Sequence, residues 1–417
     1  MPGCDSIRTV QLRSPYLLVL GAAALLLMAK LDPASGISWG IAATNVAVMV
    51  VTWHVAVAIH ELAHALAGRC LGCRVALIDL GSGRPTVKRA IAGTTVVLHP
   101  WPMSGRTLIV LRSTAYAKLR LALVFAAGPL ASAGLAWACL QHSTPWDLVM
   151  GAARTRSVGF ELLFVFATLA SASLIPLPSV AGAPPSDGWQ LLALPGRKID
   201  ATEVANGADL VDGIVAALDR RWADVHRSAS RVLERTPDHL TAMVVLADAT
   251  LLQGDLVTAL DLHTALLQRL QATPGSPLLP LVRNNLAWNH WLSHDPARLA
   301  DAMTLSEQAL SARPDIASLQ GTRGAVLLEA GRSAEAISLL ERARKGSDRY
   351  GRAHHDCCLA VARSRSGDLR RARHHLEAAA RADAGCTTLE WARAEVAAAA
   401  RTGPPAVDRT PGRRPTG

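Results

Sequence analysis

The 417-residue chain is half hydrophobic, only 4% aromatic and 18% charged, a balance that suits a membrane part joined to a polar, Ala-rich helical part. Its net charge of +10 would suit a nucleic-acid partner, but the cations gather in a loop between apolar runs and in a short tail (Arg409, Arg413, Arg414), where anionic lipid accounts for them, so no nucleic acid is expected. Seven scattered cysteines give no disulfide framework, and Cys70-Leu-Gly-Cys73 lacks the second pair that a zinc site of that spacing needs.

Four apolar segments approach the length of about 20 residues that a helix needs to cross a bilayer: Tyr16 to Leu31, Ile37 through Val57, Leu119 to Leu140, and Val158 to Leu177. The first lacks a small-residue cleavage site and reads as a retained helix. The loop from Arg69 to Arg120 is strongly basic, whereas the connections after the first and third segments carry only Lys30 and then Arg154 and Arg156. The positive-inside rule therefore predicts a multi-pass membrane protein with both termini, the basic loop and the whole C-terminal half in the cytoplasm.

At the end of the second segment stands His60-Glu61-Leu62-Ala63-His64. Two His four apart project from one helical face and can share a metal ion. Glu61 points to nearly the same side, placed to take a proton from a water held by the metal without itself being a ligand. Ionisable groups inside so apolar a run are costly unless paired or at work. His54, two turns before Glu61, lies too far along the axis, at about 10 Å, for joint coordination.

The basic loop carries three β-branched runs, Val75 to Leu80, Thr94 to Leu98 and Thr107 to Leu111, separated by glycines. They predict a small sheet or a pair of hairpins at the membrane surface, serving either as a lid or as an edge for an extended substrate strand. Gly128-Pro129 in the third segment predicts a bend or a close helix contact. Beyond Pro176-Leu-Pro178, Asp187 precedes Gly188-Trp189. By itself Asp187 reads as a helix N-cap; with His60 and His64 it reads as the third metal ligand.

Together, His60-Glu61-x-x-His64 in a membrane helix, Gly128-Pro129 in the next, and Pro-x-Pro followed by Asp187-Gly188 resemble the site-2 protease family of intramembrane zinc metalloproteases, over about residues 40 to 195. The resemblance implies Zn2+ on His60, His64 and Asp187, with Glu61 as the catalytic group and a membrane protein as substrate. Two departures stand out: Ser173 occupies the position where the family usually has Asn, and Ser179 to Ser186 lengthen the connection to the Asp-Gly pair.

From about residue 205 a unit recurs, at 34 to 36 residues where its register is clean. Leu246-Ala247 precedes Gly254 and Ala259, Arg323-Gly324 precedes Gly331 and Ala336, and Leu359-Ala360 precedes Gly367 and Ala372. Irregular units contain Leu286-Ala287 and Trp222, Ala229 and Pro237. Small residues at a helix crossing and a Gly turn, so spaced, resemble tetratricopeptide repeats, which implies a stacked helical solenoid with a groove for a protein partner.

The expected fold class is thus mostly α: a membrane helical bundle of about four spans with a small β insertion (residues 1–200), a soluble α-solenoid (205–385), and a disordered basic tail (400–417). His354-His355 and His374-His375 are expected as surface imidazoles, and Cys357-Cys358 as helix packing. Two functions follow: an intramembrane zinc endopeptidase, or a catalytically inactive membrane-anchored repeat scaffold.

Overall fold

The structure is a computed structural model that describes residues 39–82, 86–141, 159–177, 185–272 and 275–402. The first apolar segment and residues 403–417 of the basic tail lie outside the described residues. By their contacts the residues fall into two compact units, one ending at Ala249 and the other beginning at Thr250.

In the first unit, helix α1 (Trp39–Cys70) and helix α2 (Ala117–Leu140) each contain 24 residues long and apolar enough to cross a membrane. Neither is amphipathic by composition, because both faces are apolar. The faces differ in burial instead. Met49, Trp53, Ala56 and Val57 of α1 pack inward with Ala136, Val165 and Phe166, whereas Val51, Val55, Leu62 and Leu66 form an exposed apolar stripe.

Helix α3 (Gly159–Leu174) is apolar but has only 16 residues, about 24 Å at 1.5 Å per residue, short of a hydrocarbon core of about 30 Å. Of the four expected spans, two described helices have spanning length, and the first lies outside the described residues. The fourth apolar segment stops being helical after Leu174, where Pro176 follows. Helix α4 (Asp187–Ala193) folds back on α2 and α3. Its Gly188 comes so close to the Leu174 carbonyl that a Cβ would collide with it.

Between α1 and α2 lies a four-stranded sheet of order β2-β3-β1-β4. It comprises β1 (Arg74–Ser82), β2 (Val87–Ile91), β3 (Thr94–Leu98) and β4 (Trp101–Val110). Strands β2 and β3 form a hairpin through Ala92 and Gly93, both at positive φ, as the right-handed twist of a two-residue turn demands. Strand β3 then pairs parallel with β1, in register Leu77 with Thr95, while β4 pairs antiparallel with Arg106 opposite Asp79. The three β-branched runs are therefore strands of one sheet. The fourth strand, Val87-Lys-Arg-Ala-Ile91, is exposed along its length and carries two charges, as suits an edge that must not recruit another chain.

Helices α5 (Ala201–Leu218), α6 (Trp222–Arg235) and α7 (Leu240–Leu252) follow. Asp212 and Asp219 at the C-terminal part of α5 pair with Arg74 and Lys88 of the sheet.

The second unit stacks α8 (Leu256–Gln271), α9 (Leu279–Leu292), α10 (Leu299–Ala312), α11 (Ala317–Glu329), α12 (Ser333–Gly346), α13 (Arg349–Arg365), α14 (Leu369–Ala382) and α15 (Leu389–Thr402). From α9 on, each helix packs on the next, and α9, α11, α13 and α15 also pack on one another, the connectivity of a helical solenoid. The repeat signature has a physical cause. Gly254, Gly331 and Gly367 all sit at positive φ just past a helix end, and Ala259, Ala336, Ala360 and Ala372 are fully buried at helix crossings.

Candidate metal centre

The apolar length of α1 brings its last turns against α2, and that contact decides where the imidazoles go. His60 and His64 are buried, with ring centroids 4.8 Å apart. Each has one nitrogen engaged behind it. His64 Nδ1 donates to the Val124 carbonyl at 2.6 Å, and His60 Nδ1 lies 3.1 Å from Ser132 Oγ, both on α2. The Val124 carbonyl can only accept, so the proton of His64 sits on Nδ1 and Nε2 is left as a lone-pair donor; the Ser132 hydroxyl can fix His60 in the same way.

Both Nε2 atoms face Asp187 at the start of α4. Asp187 Oδ2 lies 3.2 Å from His60 Nε2 and 3.5 Å from His64 Nε2. Tetrahedral ligands held about 2.0–2.1 Å from a zinc ion lie about 3.3 Å from each other, so the two Asp187–histidine spacings are compatible with a shared ion. Gly128 of α2 forms the wall beside them: a Cβ there would strike Nε2 of both rings. The donor set of two nitrogens and one carboxylate within 4.8 Å, together with the room left by Gly128, fits a divalent metal.

Asp187 reaches this point despite its long connection. The Ser186 backbone N–H donates to the Leu177 carbonyl at 3.1 Å, the Leu177 N–H to Ser186 Oγ at 2.9 Å, and the Ser186 hydroxyl to the Ile175 carbonyl at 2.6 Å. The two ends of the intervening loop thus meet, and its length does not displace Asp187. Ser186, not Asp187, is the N-cap of α4, accepting from Trp189 N at 3.2 Å. That frees the Asp187 carboxylate for the two imidazoles.

Glu61 is buried beside them, 7% exposed. Strand β4 holds it: the Thr107 hydroxyl lies 2.7 Å from Glu61 Oε2 and 3.1 Å from its backbone carbonyl, and Gly105 comes so close that a Cβ would overlap the Glu61 side chain. Ser173 does not reach this group, since its hydroxyl donates to the Ala170 carbonyl of its own helix. His54 is half-buried, and its Nδ1 has no partner among the described residues.

The sequence pattern of peptidase family M50 matches residues 48–273, more than half of the chain and the whole of this site. The chain belongs to peptidase family M50. This is the site-2 protease family, and with two helices of spanning length the M50 chain is a membrane protein of that metallopeptidase class.

No curated protein matches the chain. Among solved structures, a thermophilic TPR protein of Thermus thermophilus is 22% identical, covering 47% of this chain and 99% of its own, with a TM-score of 0.37. The MamA protein is 14% identical over 43% and 92%, TM-score 0.30. Yeast Tom70 is 14% identical over 70% and 65%, TM-score 0.30. These likenesses are too distant to carry an argument; the solenoid is read from the helix packing itself.

Of the residues singled out in the sequence, the M50 chain brings His60, Glu61, His64, Gly128 and Asp187 together. Ser132, Val124, Gly105 and Thr107 escape a reading of the sequence alone. Ser132 lies four residues after Gly128 on the same helix and is within reach of a spacing argument; Thr107 and Gly105 depend on strand register, which no local pattern declares.

Two expectations about the repeats need correction or support. His355 is not a surface imidazole: it is 6% exposed, hydrogen-bonded to Ser347 Oγ at 3.0 Å and pressed on Gly321. His375 is partly buried and bonds Asp356 at 2.8 Å, whereas His374 is exposed. Cys357 and Cys358 do pack in the helical core.

Proposed function

We propose that this protein is an intramembrane zinc endopeptidase that hydrolyses a peptide bond in or near a transmembrane segment of another membrane protein. The observation that carries this reading is the convergence of His60 Nε2, His64 Nε2 and an Asp187 carboxylate oxygen beside Glu61 on a helix of spanning length. Zn2+ bound by His60, His64 and Asp187 would polarise the scissile carbonyl and acidify a water. Glu61, which Thr107 orients, would serve as the group that accepts a proton from the attacking water and passes it to the departing amine nitrogen. Gly105 lets β4 approach the Glu61 side chain closely.

A helical substrate hides its carbonyls in its own hydrogen bonds, so the segment to be cut must first unwind. Strand β4 ends the sheet, and its outer edge offers main-chain groups to an extended substrate beside Glu61. In this reading the repeats lie in the cytoplasm and recruit the substrate or a regulator through a protein partner. The scaffold alternative is not favoured, because the Leu177–Ser186 closure leaves the stretched connection compatible with a complete ligand set.

The test is Glu61→Gln. Zinc content should equal wild type while cleavage falls by about 10²–10⁴, the contribution of a positioned base. His60→Ala should lose the metal. Proteomics of cells carrying Glu61→Gln identifies the substrate as the membrane protein whose cleaved form disappears; cleavage at the wild-type rate would remove Glu61 from the mechanism.

A further inference from the structure

Strand β4 ends at Val110 and helix α2 begins at Ala117. A cavity of about 570 Å³ opens between the turn that joins them, the first residue of β1 and the first half of α5. That volume lies in the range of small-molecule sites. Its walls are of two kinds. Val110, Val204 and Ala208 make an apolar side, whereas Arg74, Arg112, Ser113 and Thr114 bring charge and hydroxyls.

The cations differ in what they already hold. Arg74 gives its guanidinium to Asp212, which fastens α5 over the cavity. Arg112 is exposed and has no hydrogen bond or ion pair among the described residues. Arg120, in the first turn of α2, donates to Ser113 Oγ at 2.9 Å and meets no carboxylate among the described residues. Ser113 accepts that bond and keeps its own proton for a further acceptor. An anion entering here meets the Arg112 fork and two hydroxyls, with a second positive charge behind Ser113, the donor geometry that suits phosphate oxygens.

The surroundings select the kind of anion. The cavity lies just past the end of α1 and just before α2, where both helices of spanning length reach the membrane surface. Beside it Tyr116, Leu119 and Leu123 are exposed, an apolar skirt that lipid covers, with a phenol at headgroup level. A small free anion uses neither this skirt nor the apolar wall; a phospholipid uses both.

We propose that this cavity binds the headgroup of an anionic phospholipid, with its phosphate on Arg112 and the Ser113 and Thr114 hydroxyls. The glycerol end of the lipid lies against Val110, Val204 and Ala208, and its acyl chains run on into the bilayer. Because the sheet and α5 form facing walls, a bound lipid ties α5 to the membrane surface. The inference rests on the membrane placement of α1 and α2 and not on the metal chemistry.

The test uses the full-length protein in phosphatidylcholine nanodiscs holding a trace of phosphatidylglycerol with a diazirine near the glycerol end of one acyl chain. After illumination, mass spectrometry should find the lipid on peptides containing Val110 to Thr114 and Val204 to Ala208. Unlabelled phosphatidylglycerol should suppress this labelling, and inorganic phosphate should not. Arg112→Gln should reduce it about tenfold or more, the worth of a hydrogen bond between charged groups. Val204→Trp fills the cavity without changing charge and should do the same. Arg89→Gln removes an equally exposed cation from β2 and should change nothing. Equal losses in Arg89→Gln and Arg112→Gln would reduce the effect to surface charge and overturn the proposal. The wild-type protein alone can also overturn it: by labelling confined to other peptides, by suppression with inorganic phosphate, which would make this a site for a free anion, or by suppression with an acidic peptide, which would make it a protein-binding site.

Discussion

His60 and His64 in the membrane unit and His355 in the repeats are almost equally shut off from solvent, at 5%, 6% and 6% exposure. Yet the first two build a site and the third does not. The difference lies in what the remaining ring nitrogen meets. In α1, contacts to Ser132 and Val124 occupy both Nδ1 atoms, so both Nε2 atoms project at Asp187 across the gap that Gly128 keeps open. His355 gives its Nε2 to the single hydroxyl of Ser347, and its ring fills the space above Gly321. Burial of a histidine therefore says nothing about chemistry until a second and third donor converge on it.

Filling the two glycine positions should break this comparison most sharply. Gly128→Ala places a methyl group against both Nε2 atoms, so zinc content should fall to background and cleavage with it, while α2 stays helical. Gly321→Ala pushes on a buried imidazole with nowhere to go and should destabilise the repeats, leaving zinc content unchanged. Metal analysis and thermal unfolding on the same samples check both. Full zinc occupancy in Gly128→Ala would mean the ion lies elsewhere.

A smaller effect separates ligand support from base support. Ser132→Ala removes the partner behind His60 and should weaken zinc binding about 10–100-fold, measured by chelator competition. Thr107→Val should leave zinc affinity unchanged and lower turnover by about the same factor, because Thr107 touches Glu61 and no ligand. Equal loss of zinc in both variants would dissolve the distinction.

The two regions are unequally legible in the sequence. The His60/His64 pair is visible because helical period fixes which side chains share a face, and the repeat signature because Gly at positive φ and Ala at crossings recur on a fixed period. Asp187 emerges only as one of two alternatives, cap or ligand; the cap of α4 is Ser186, one residue earlier. Strand β2 escapes because Lys88 and Arg89 break the β-branched pattern, and its pairing with β3 depends on an Ala-Gly turn that lacks the usual Asn or Asp. His355 is misplaced when adjacent histidines on a helix are assigned to the surface as a pair, since only the packing of α11 against α13 determines which ring goes inside.

The smallest effect tests the histidine that does no chemistry. Burial holds His355 down from 6.5 to about 3, so the folded protein carries it neutral. The depressed folded-state value sets the sign. Above pH 6.5 both states are neutral and His355 contributes no pH dependence. As pH falls below 6.5 the unfolded chain takes up a proton that the folded chain refuses, and stability drops by about 1.4 kcal/mol per pH unit until about pH 3. Asp356 next to it, held by Arg344 and His375, is unaltered in the comparison below. Hydrogen exchange of the α13 peptides gives the opening free energy at pH 5 and 7 for wild type and His355→Gln. The variant is expected to be less stable at pH 7, since it loses the fitted ring, but its stability should decline less steeply with acid, by one proton's worth of slope. Parallel slopes would show that His355 does take up a proton in the folded repeats, and the contrast with His60 and His64 would then need a different basis from the number of donors each ring meets.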